Sequence, residues 1–256
     1  VATPLSLDRR SMLALSMVSG ALVAAPALAA GGWSIRAIAF DAFAVFDHRA
    51  ITAAVVATVG ERGAALTGAW LGRIFTLSWL ETAAGRYSGF AALADVALAQ
   101  SAAPLGIDMR PTQRRDIAAV FEALPAWPDA GTVFEALRSA GVRLAFLSNL
   151  GDTVLAANMR RNHLDSLMER PLSTDRVRAF KPSPRAYAMG THHFALPPEE
   201  IGFAAFGGWD ALGAKWFGYP TAWINRQNAA AEALGPEPNI TGRDLSAVLR
   251  LASIDI

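Results

Sequence analysis

The sequence predicts an α/β fold: a Rossmann-like parallel sheet core with an inserted helical cap. Three observations lead to it. Four short apolar runs, residues 35–40, 142–147, 201–206 and 221–224, have the length and near-continuous hydrophobicity of strands buried on both faces. Strand and helix patterning alternate through the outer parts of the chain, as in parallel β-α-β units. Between the first two runs lies a long helical stretch that interrupts this alternation. The expected organisation is a core domain over residues 30–47 and 129–256, a helical cap domain over residues 48–128, and a separate leader over residues 1–29.

The leader begins Leu7-Asp8-Arg9-Arg10-Ser11-Met12-Leu13, continues through an apolar stretch from Met12 to Ala25, and ends in Pro26-Ala27-Leu28-Ala29. A charged start, a short apolar run and an Ala-x-Ala end make an export signal. The apolar stretch of about 14 residues is shorter than the roughly 20 a membrane-spanning helix needs. The paired arginines point to the twin-arginine export machinery and to a periplasmic or exported protein. Cleavage after Ala29 leaves a formally neutral chain.

Ile35 to Phe40 reads as a buried strand ending at Asp41. Residues 50–100 are rich in Ala and Leu at helical spacing, and Trp70, Ile74, Leu77 and Leu80 fall near one helical face. Residues 101–128 hold several prolines and a helix around Arg114 to Ala123. A helix from Ala130 to Ser139 stops at Gly141. Val142 to Leu147 is a second strand, followed by Ser148-Asn149 and a helix over Asp152 to Asn162. Ile201 to Phe206 and Thr221 to Ile224 complete the predicted strands.

Composition narrows the function. The chain has 256 residues, 53% hydrophobic and 18% charged, which excludes a disordered or collagen-like protein. A net charge of +1 without a long basic run argues against nucleic-acid binding. The absence of cysteine excludes disulfides, thiolate metal sites and Cys nucleophiles. Four histidines, at 48, 163, 192 and 193, argue against a His-rich metal site.

In an open parallel sheet the site lies beyond the carboxyl ends of the strands. Asp41, Ser148 and Asp210 each follow an apolar run, so this fold brings them together. An ionised carboxylate there can act as a nucleophile, and a nearby cation keeps it charged. Lys181, in Ala179-Phe180-Lys181-Pro182-Ser183-Pro184, is the candidate cation. Ser148 and Asn149 offer donors for a substrate anion, and Asp210 suits the orientation of a water or a metal. Each residue also has a structural role open to it. Asp41 and Ser148-Asn149 could be turn or cap residues, Asp210 could cap a following helix, and Lys181 could be a solvated surface residue.

The ordered set resembles the haloacid dehalogenase superfamily, and within it the type II (S)-2-haloacid dehalogenases. Ala39-Phe40-Asp41-Ala42-Phe43 looks like the first motif and Leu147-Ser148-Asn149 like the second. Phe180-Lys181-Pro182-Ser183-Pro184-Arg185-Ala186-Tyr187 is similar to the third. The stretch from Trp209-Asp210-Ala211 to Ile224-Asn225-Arg226 is similar to the fourth and to the family sequence just after it. The cap is similar through Trp70, Ser78-Trp79-Leu80 and Gly85-Arg86-Tyr87.

The resemblance implies two steps. Asp41 attacks C2 of a short 2-haloalkanoate and releases halide with inversion; water then hydrolyses the aspartyl ester to give a 2-hydroxy acid. By resemblance, Lys181 supports the charge of Asp41 and Asp210 helps position the water. Ser148 holds the substrate carboxylate, Asn149 helps cradle the halide, and Tyr187 packs and hydrogen-bonds near the lysine. Apart from the resemblance, Trp209 reads either as a substrate contact or, like Trp70, Trp79, Trp216 and Trp223, as packing. Neither a metal nor an organic cofactor is implied. Phosphatases of the superfamily carry a general-acid aspartate where this chain has Phe43. A halide needs no proton to leave, so Phe43 suits halide displacement. The resemblance also implies a homodimer joined through cap helices around Trp79.

Several positions depart from the family pattern. Leu71 stands where the halide-binding arginine is expected, and Arg73 would point about 200° away on the helix. The segment from Asp41 to Asp47 is one residue short, so the threonine that follows the nucleophile is missing or replaced by Val45. Ala205 and Gly207 replace a serine and an asparagine. These departures leave two alternatives open. One is a non-catalytic periplasmic protein binding a small carboxylate. The other is a magnesium-dependent phosphatase using Asp41, a carbonyl near Phe43 and Asp210 as hard oxygen ligands.

Overall fold

A computed structural model describes residues 34–255. The expected export signal over residues 1–29 lies outside the described residues. The core is a six-stranded sheet in the order β3-β2-β1-β4-β5-β6, parallel at every pairing. Its strands are β1 (Ala37–Phe40), β2 (Arg143–Ser148), β3 (Leu172–Ser173), β4 (Ile201–Ala205), β5 (Thr221–Ile224) and β6 (Ile240–Gly242). Side chains alternate across the sheet, as the two-residue repeat of a strand requires. Ile38, Phe40, Leu144 and Phe146 join the hydrophobic cluster on one face, and Ala37, Ala39, Ala145 and Leu147 join the cluster on the other.

β5 matches its predicted run. β1 starts two residues later than predicted, because Arg36 turns its side chain to solvent while its amide bonds the Glu200 carbonyl. β2 is shifted by one residue and includes Ser148. β4 stops at Ala205, leaving Phe206 outside the ladder. The edge strands β3 and β6 have two and three residues, too few for a hydrophobic period to register.

Helices α1 (Ala42–Val45), α2 (Arg49–Val59), α3 (Gly63–Ala83), α4 (Phe90–Ala102) and α5 (Pro111–Ala118) all lie between β1 and β2. α5 starts three residues earlier than predicted, since a proline is well placed in a first helical turn, and it ends in a 3-10 turn over residues 119–122. Trp70 and Ile74 are buried, and the Trp70 indole Nε1 donates to the Ala94 carbonyl of α4 at 2.7 Å. Leu80 corrects the expected apolar face, being 63% exposed. The inward stripe of α3 continues at Ser78, and position 80 lies about 200° round the helix from it.

The chain leaves and re-enters the core side by side. The Asp47 amide donates to the Pro125 carbonyl, the Trp127 amide donates to the Val45 carbonyl, and Phe46 bridges Ala126. The remaining helices are α6 (Ala130–Ser139), α7 (Asp152–Arg161), α8 (Pro184–Phe194), α9 (Gly208–Phe217) and α10 (Ser246–Leu251). Among the described residues no helix is long and apolar enough to cross a membrane.

Candidate active site

The sheet order places the carboxyl ends of β2, β1 and β4 next to one another. Phe40 is in register with Phe146 and Ala204, so the residues that follow these three strands converge at one edge of the sheet. Asp41 follows β1 and caps α1, its Oδ2 accepting from the Phe43 amide at 2.9 Å. Ser148 ends β2, and its Oγ accepts from the Leu150 amide at 3.1 Å. Asp210 sits in the first turn of α9, just beyond β4, where a helix N-terminus favours negative charge. Lys181 comes from the segment between β3 and α8.

Asp41, Asp210, Lys181 and Tyr187 form one connected group, and Ser148 stands beside it. Lys181 Nζ donates to Asp41 Oδ1 at 2.7 Å and to Asp210 Oδ2 at 2.6 Å. Lys181 is fully buried, so it is not a solvated surface lysine. The Tyr187 hydroxyl donates to Asp210 Oδ1 at 2.7 Å, beside the lysine. Tyr219 in turn donates to the Tyr187 carbonyl at 2.5 Å. Asn149 Oδ1 accepts from the Lys181 amide at 2.9 Å, which leaves the Asn149 Nδ2 donors turned away from that bond.

Burial disfavours the Lys181 charge, but Asp210 and Asp41 outweigh it and hold the ammonium above its ordinary pKa. Burial pushes the Asp210 carboxyl up to about 6; the Asp41 charge adds to this, while Lys181 and the Tyr187 hydrogen bond oppose it. Burial also drives Tyr187 well above its ordinary value, so it stays a donor. Isolating such a group from water is costly unless every charge is paired. Shifted groups of this kind concentrate at functional sites.

A small pocket, with free room of only about 10 Å³, opens over the group. It is lined by Asp41, Phe43, Ser148, Asn149, Trp209 and Asp210, all singled out in the sequence, and by Phe75, Phe90, Leu150, Phe206 and Gly207. Lys181 and Tyr187 lie behind the carboxylates, outside that lining. Phe75 stacks with Trp79 one turn further along α3, so aromatic spacing of four residues was a signal for it. Phe90 had none, because only the fold of α4 against the core brings it here.

The structure also locates the departures. Neither Leu71 nor Arg73 lines the pocket, nor does any other arginine among the described residues. Leu71 packs against the main hydrophobic cluster. Arg73 Nε donates to Gln100 Oε1 at 2.7 Å, which ties it to α4. At Gly207 a Cβ would stand 2.8 Å from the Trp209 Nε1, so the indole N–H occupies the room that a side chain at 207 would need.

The helical insertion touches the lysine segment directly. Tyr87 stacks on Phe180 with ring centroids 4.5 Å apart, and its hydroxyl donates to Asp175. Thr82 Oγ1 accepts from the Phe180 amide at 3.1 Å.

Residues 24–218 match a family model described as haloacid dehalogenase-like hydrolase. Among curated relatives, (S)-2-haloacid dehalogenase 4A of Burkholderia cepacia is 32% identical over 200 residues, covering 78% of this chain and 87% of the relative. The (S)-2-haloacid dehalogenase H-109 of Pseudomonas putida is 27% identical over 212 residues, covering 82% of this chain and 95% of the relative. Among solved structures, L-2-haloacid dehalogenase from Xanthobacter autotrophicus with chloropropionic acid covalently bound superposes with a TM-score of 0.80. It is 26% identical, and the match covers 86% of this chain and 98% of that one.

Proposed function

Because this chain belongs to the haloacid dehalogenase-like hydrolases, we propose that it hydrolyses short 2-haloalkanoates through an ester on Asp41, giving 2-hydroxy acids. The observation that carries this is the placement of the ion-paired Asp41 carboxylate at the floor of an aromatic pocket. Phe43, Phe75, Phe90, Phe206 and Trp209 suit a carbon–halogen bond better than a phosphate dianion. Both inner oxygens that a cation would bridge, Asp41 Oδ1 and Asp210 Oδ2, are taken by the Lys181 ammonium.

In the first step an Asp41 oxygen attacks C2 opposite the carbon–halogen bond, and the halide leaves with the bonding pair. Ser148 donates its hydroxyl to the substrate carboxylate. With no arginine at 71, the halide is received by neutral donors, Asn149 Nδ2 and Trp209 Nε1. In the second step water adds to the Asp41 carbonyl carbon. Lys181 and the Phe43 amide hold different Asp41 oxygens in the free enzyme, Oδ1 at 2.7 Å and Oδ2 at 2.9 Å, so the donor on the oxygen that is not esterified stabilises the developing oxyanion. Asp210, ionised at neutral pH, takes a proton from the water. The tetrahedral intermediate then collapses, and the bond between the Asp41 carboxyl carbon and the substrate oxygen breaks. Asp210 returns its proton to the departing alkoxide to give the 2-hydroxy acid, and the remaining water proton is lost to solvent as the Asp41 carboxylate is restored. Tyr187 holds Asp210 in place.

Residues 48–128 serve as the cap over this site. The Arg9-Arg10 leader directs export through the twin-arginine route, and the exposed Trp79 and Leu80 on α3 form the contact of a homodimer. Retention in the cytoplasm after Arg9→Lys/Arg10→Lys would support the first, and a dimer split by Leu80→Glu the second.

Leu71, Ala205 and Gly207 favour a second possibility, a carboxylate-binding protein without turnover. Halide release from (S)-2-chloropropionate and bromoacetate, with Asp41→Asn as control, decides between them. Release that disappears in the variant supports the hydrolase. Saturable binding without release in either protein supports the binder.

A further inference from the structure

A second polar cavity lies where the two connections of the helical insertion meet the core. This cleft of about 390 Å³ is lined by His48, Arg49, Trp127, Arg226, Gln227 and Arg243. The lining holds three guanidinium groups and no carboxylate. Arg49 is anchored to Asp47 at 2.6 Å and Arg226 to Asp129 at 2.8 Å. Their guanidinium carbons lie 4.5 and 4.4 Å from the centroid of the Trp127 ring. Arg243 is exposed, makes no ion pair among the described residues, and donates to Asn228 Oδ1 at 2.9 Å.

Three N–H groups of these lining residues are buried without an acceptor: His48 Nδ1, Trp127 Nε1 and Arg226 Nε. Among the described residues only one other side-chain polar atom, Thr174 Oγ1, is left in that condition. Gln227 Nε2 donates to His48 Nε2 at 2.5 Å, which puts the imidazole proton on Nδ1. Burial lowers the His48 pKa, Asp47 opposes this, and Arg49 and Arg226 add to it, so the ring is neutral and donates from Nδ1. Buried donors are nearly always paired in folded proteins, and a cluster of them beside guanidinium groups calls for an anionic acceptor.

We propose that this cleft binds a small tetrahedral oxyanion, inorganic phosphate or the phosphoryl group of an ester, which clamps the helical insertion to the sheet. Planar guanidinium forks match pairs of oxygens on one tetrahedral anion. Arg49 opens α2 of the insertion and Trp127 lies on the returning connection. Arg226 and Arg243 follow β5 and β6 of the core. One anion therefore joins both connections to the sheet. The clamp also reaches the catalytic pocket, since the His48 ring lies 4.8 Å from the Phe206 ring and 6.4 Å from that of Phe43. The site does not depend on the carbon–halogen chemistry.

The test is calorimetric titration of the purified protein with inorganic phosphate at constant ionic strength, with hydrogen exchange followed over residues 45–49 and 125–129. Arg243→Gln removes an exposed group that carries no ion pair, and Trp127→Phe keeps a ring but removes the N–H. Arg36→Gln, on an exposed arginine at the opposite end of the sheet, is the control. Saturable binding is expected, weakened about tenfold by Arg243→Gln and about threefold by Trp127→Phe. It is expected to be unchanged by Arg36→Gln and to be accompanied by slower exchange in both segments. A phosphate monoester binding more tightly than phosphate would assign the site to an ester, and equal binding would assign it to the free anion. Phosphate binding indifferent to Arg243→Gln, or chloride slowing exchange equally, would overturn the proposal.

Discussion

Lys181→Met removes the cation between Asp41 and Asp210 and keeps most of the side-chain volume. Nζ lies 2.7 Å from one carboxylate oxygen and 2.6 Å from the other, and its own side chain is fully buried. Without it, two negative oxygens roughly 5 Å apart repel by about 3 kcal/mol at an effective dielectric constant of about 20. That repulsion equals about two pKa units, and removing one partner of a buried pair costs about 3–5 kcal/mol in general. The variant relieves the repulsion by taking a proton onto the carboxylate pair. A carboxyl whose folded pKa is raised binds more protons folded than unfolded between its two pKa values, so stability rises as pH falls through that window. Urea unfolding is therefore expected to show the variant about 3 kcal/mol less stable than the parent near pH 8, with the gap narrowing toward pH 5. Halide release is expected to fall at least about 100-fold, and acid does not restore it, because the proton that stabilises the fold also quenches the nucleophile. A stability loss below about 1 kcal/mol that is the same at both pH values would refute this account of the site.

The same geometry gives four further expected outcomes. Asp210 must be ionised to take a proton in the hydrolysis step, so kcat for multiple-turnover halide release should rise with pH through about 6, while Lys181, held above its ordinary pKa, stays protonated. Tyr187→Phe deletes the 2.7 Å hydrogen bond that lowers the Asp210 pKa. The rising limb should move to higher pH, with a stability loss of about 1.5–3 kcal/mol in urea unfolding. Gly213→Ala puts a Cβ 2.5 Å from the Tyr187 hydroxyl and 2.7 Å from the Pro182 Cβ, and should cost about 1–3 kcal/mol by the same measurement. Gly207→Ala puts a Cβ 2.8 Å from Trp209 Nε1, and should change tryptophan fluorescence and raise KM for the haloacid more than it changes stability.

Local pattern carried much of this protein. Buried parallel strands are apolar on both faces, so β1, β2, β4 and β5 stand out in the sequence, and Asp41, Ser148 and Asp210 lie at or just beyond the ends of the first three. Helix α6 was legible to the residue, since its apolar spacing ends at a glycine stop. The edge strands escaped because two or three residues carry no period. Leu80 was misplaced because a stripe drawn through four residues of a long helix ignored the two-residue offset that turns it to solvent.

At the site, the sequence by itself determined which chemical groups are available: Asp41, Ser148, Asn149, Lys181, Tyr187, Trp209 and Asp210, in an order and spacing that resemble one family. Only the tertiary structure decided their partners. Tyr187 bonds Asp210, Arg73 is drawn to Gln100, and the Trp209 indole takes the space left by Gly207. The tertiary structure alone brought Phe90 into the pocket, and it alone assembled His48, Arg49, Trp127, Arg226 and Arg243 around one cleft. The physical reason is that residue type and local period are properties of a short segment, whereas a hydrogen-bond partner or a shared cavity depends on distances between segments far apart in the chain, which only the packed fold sets.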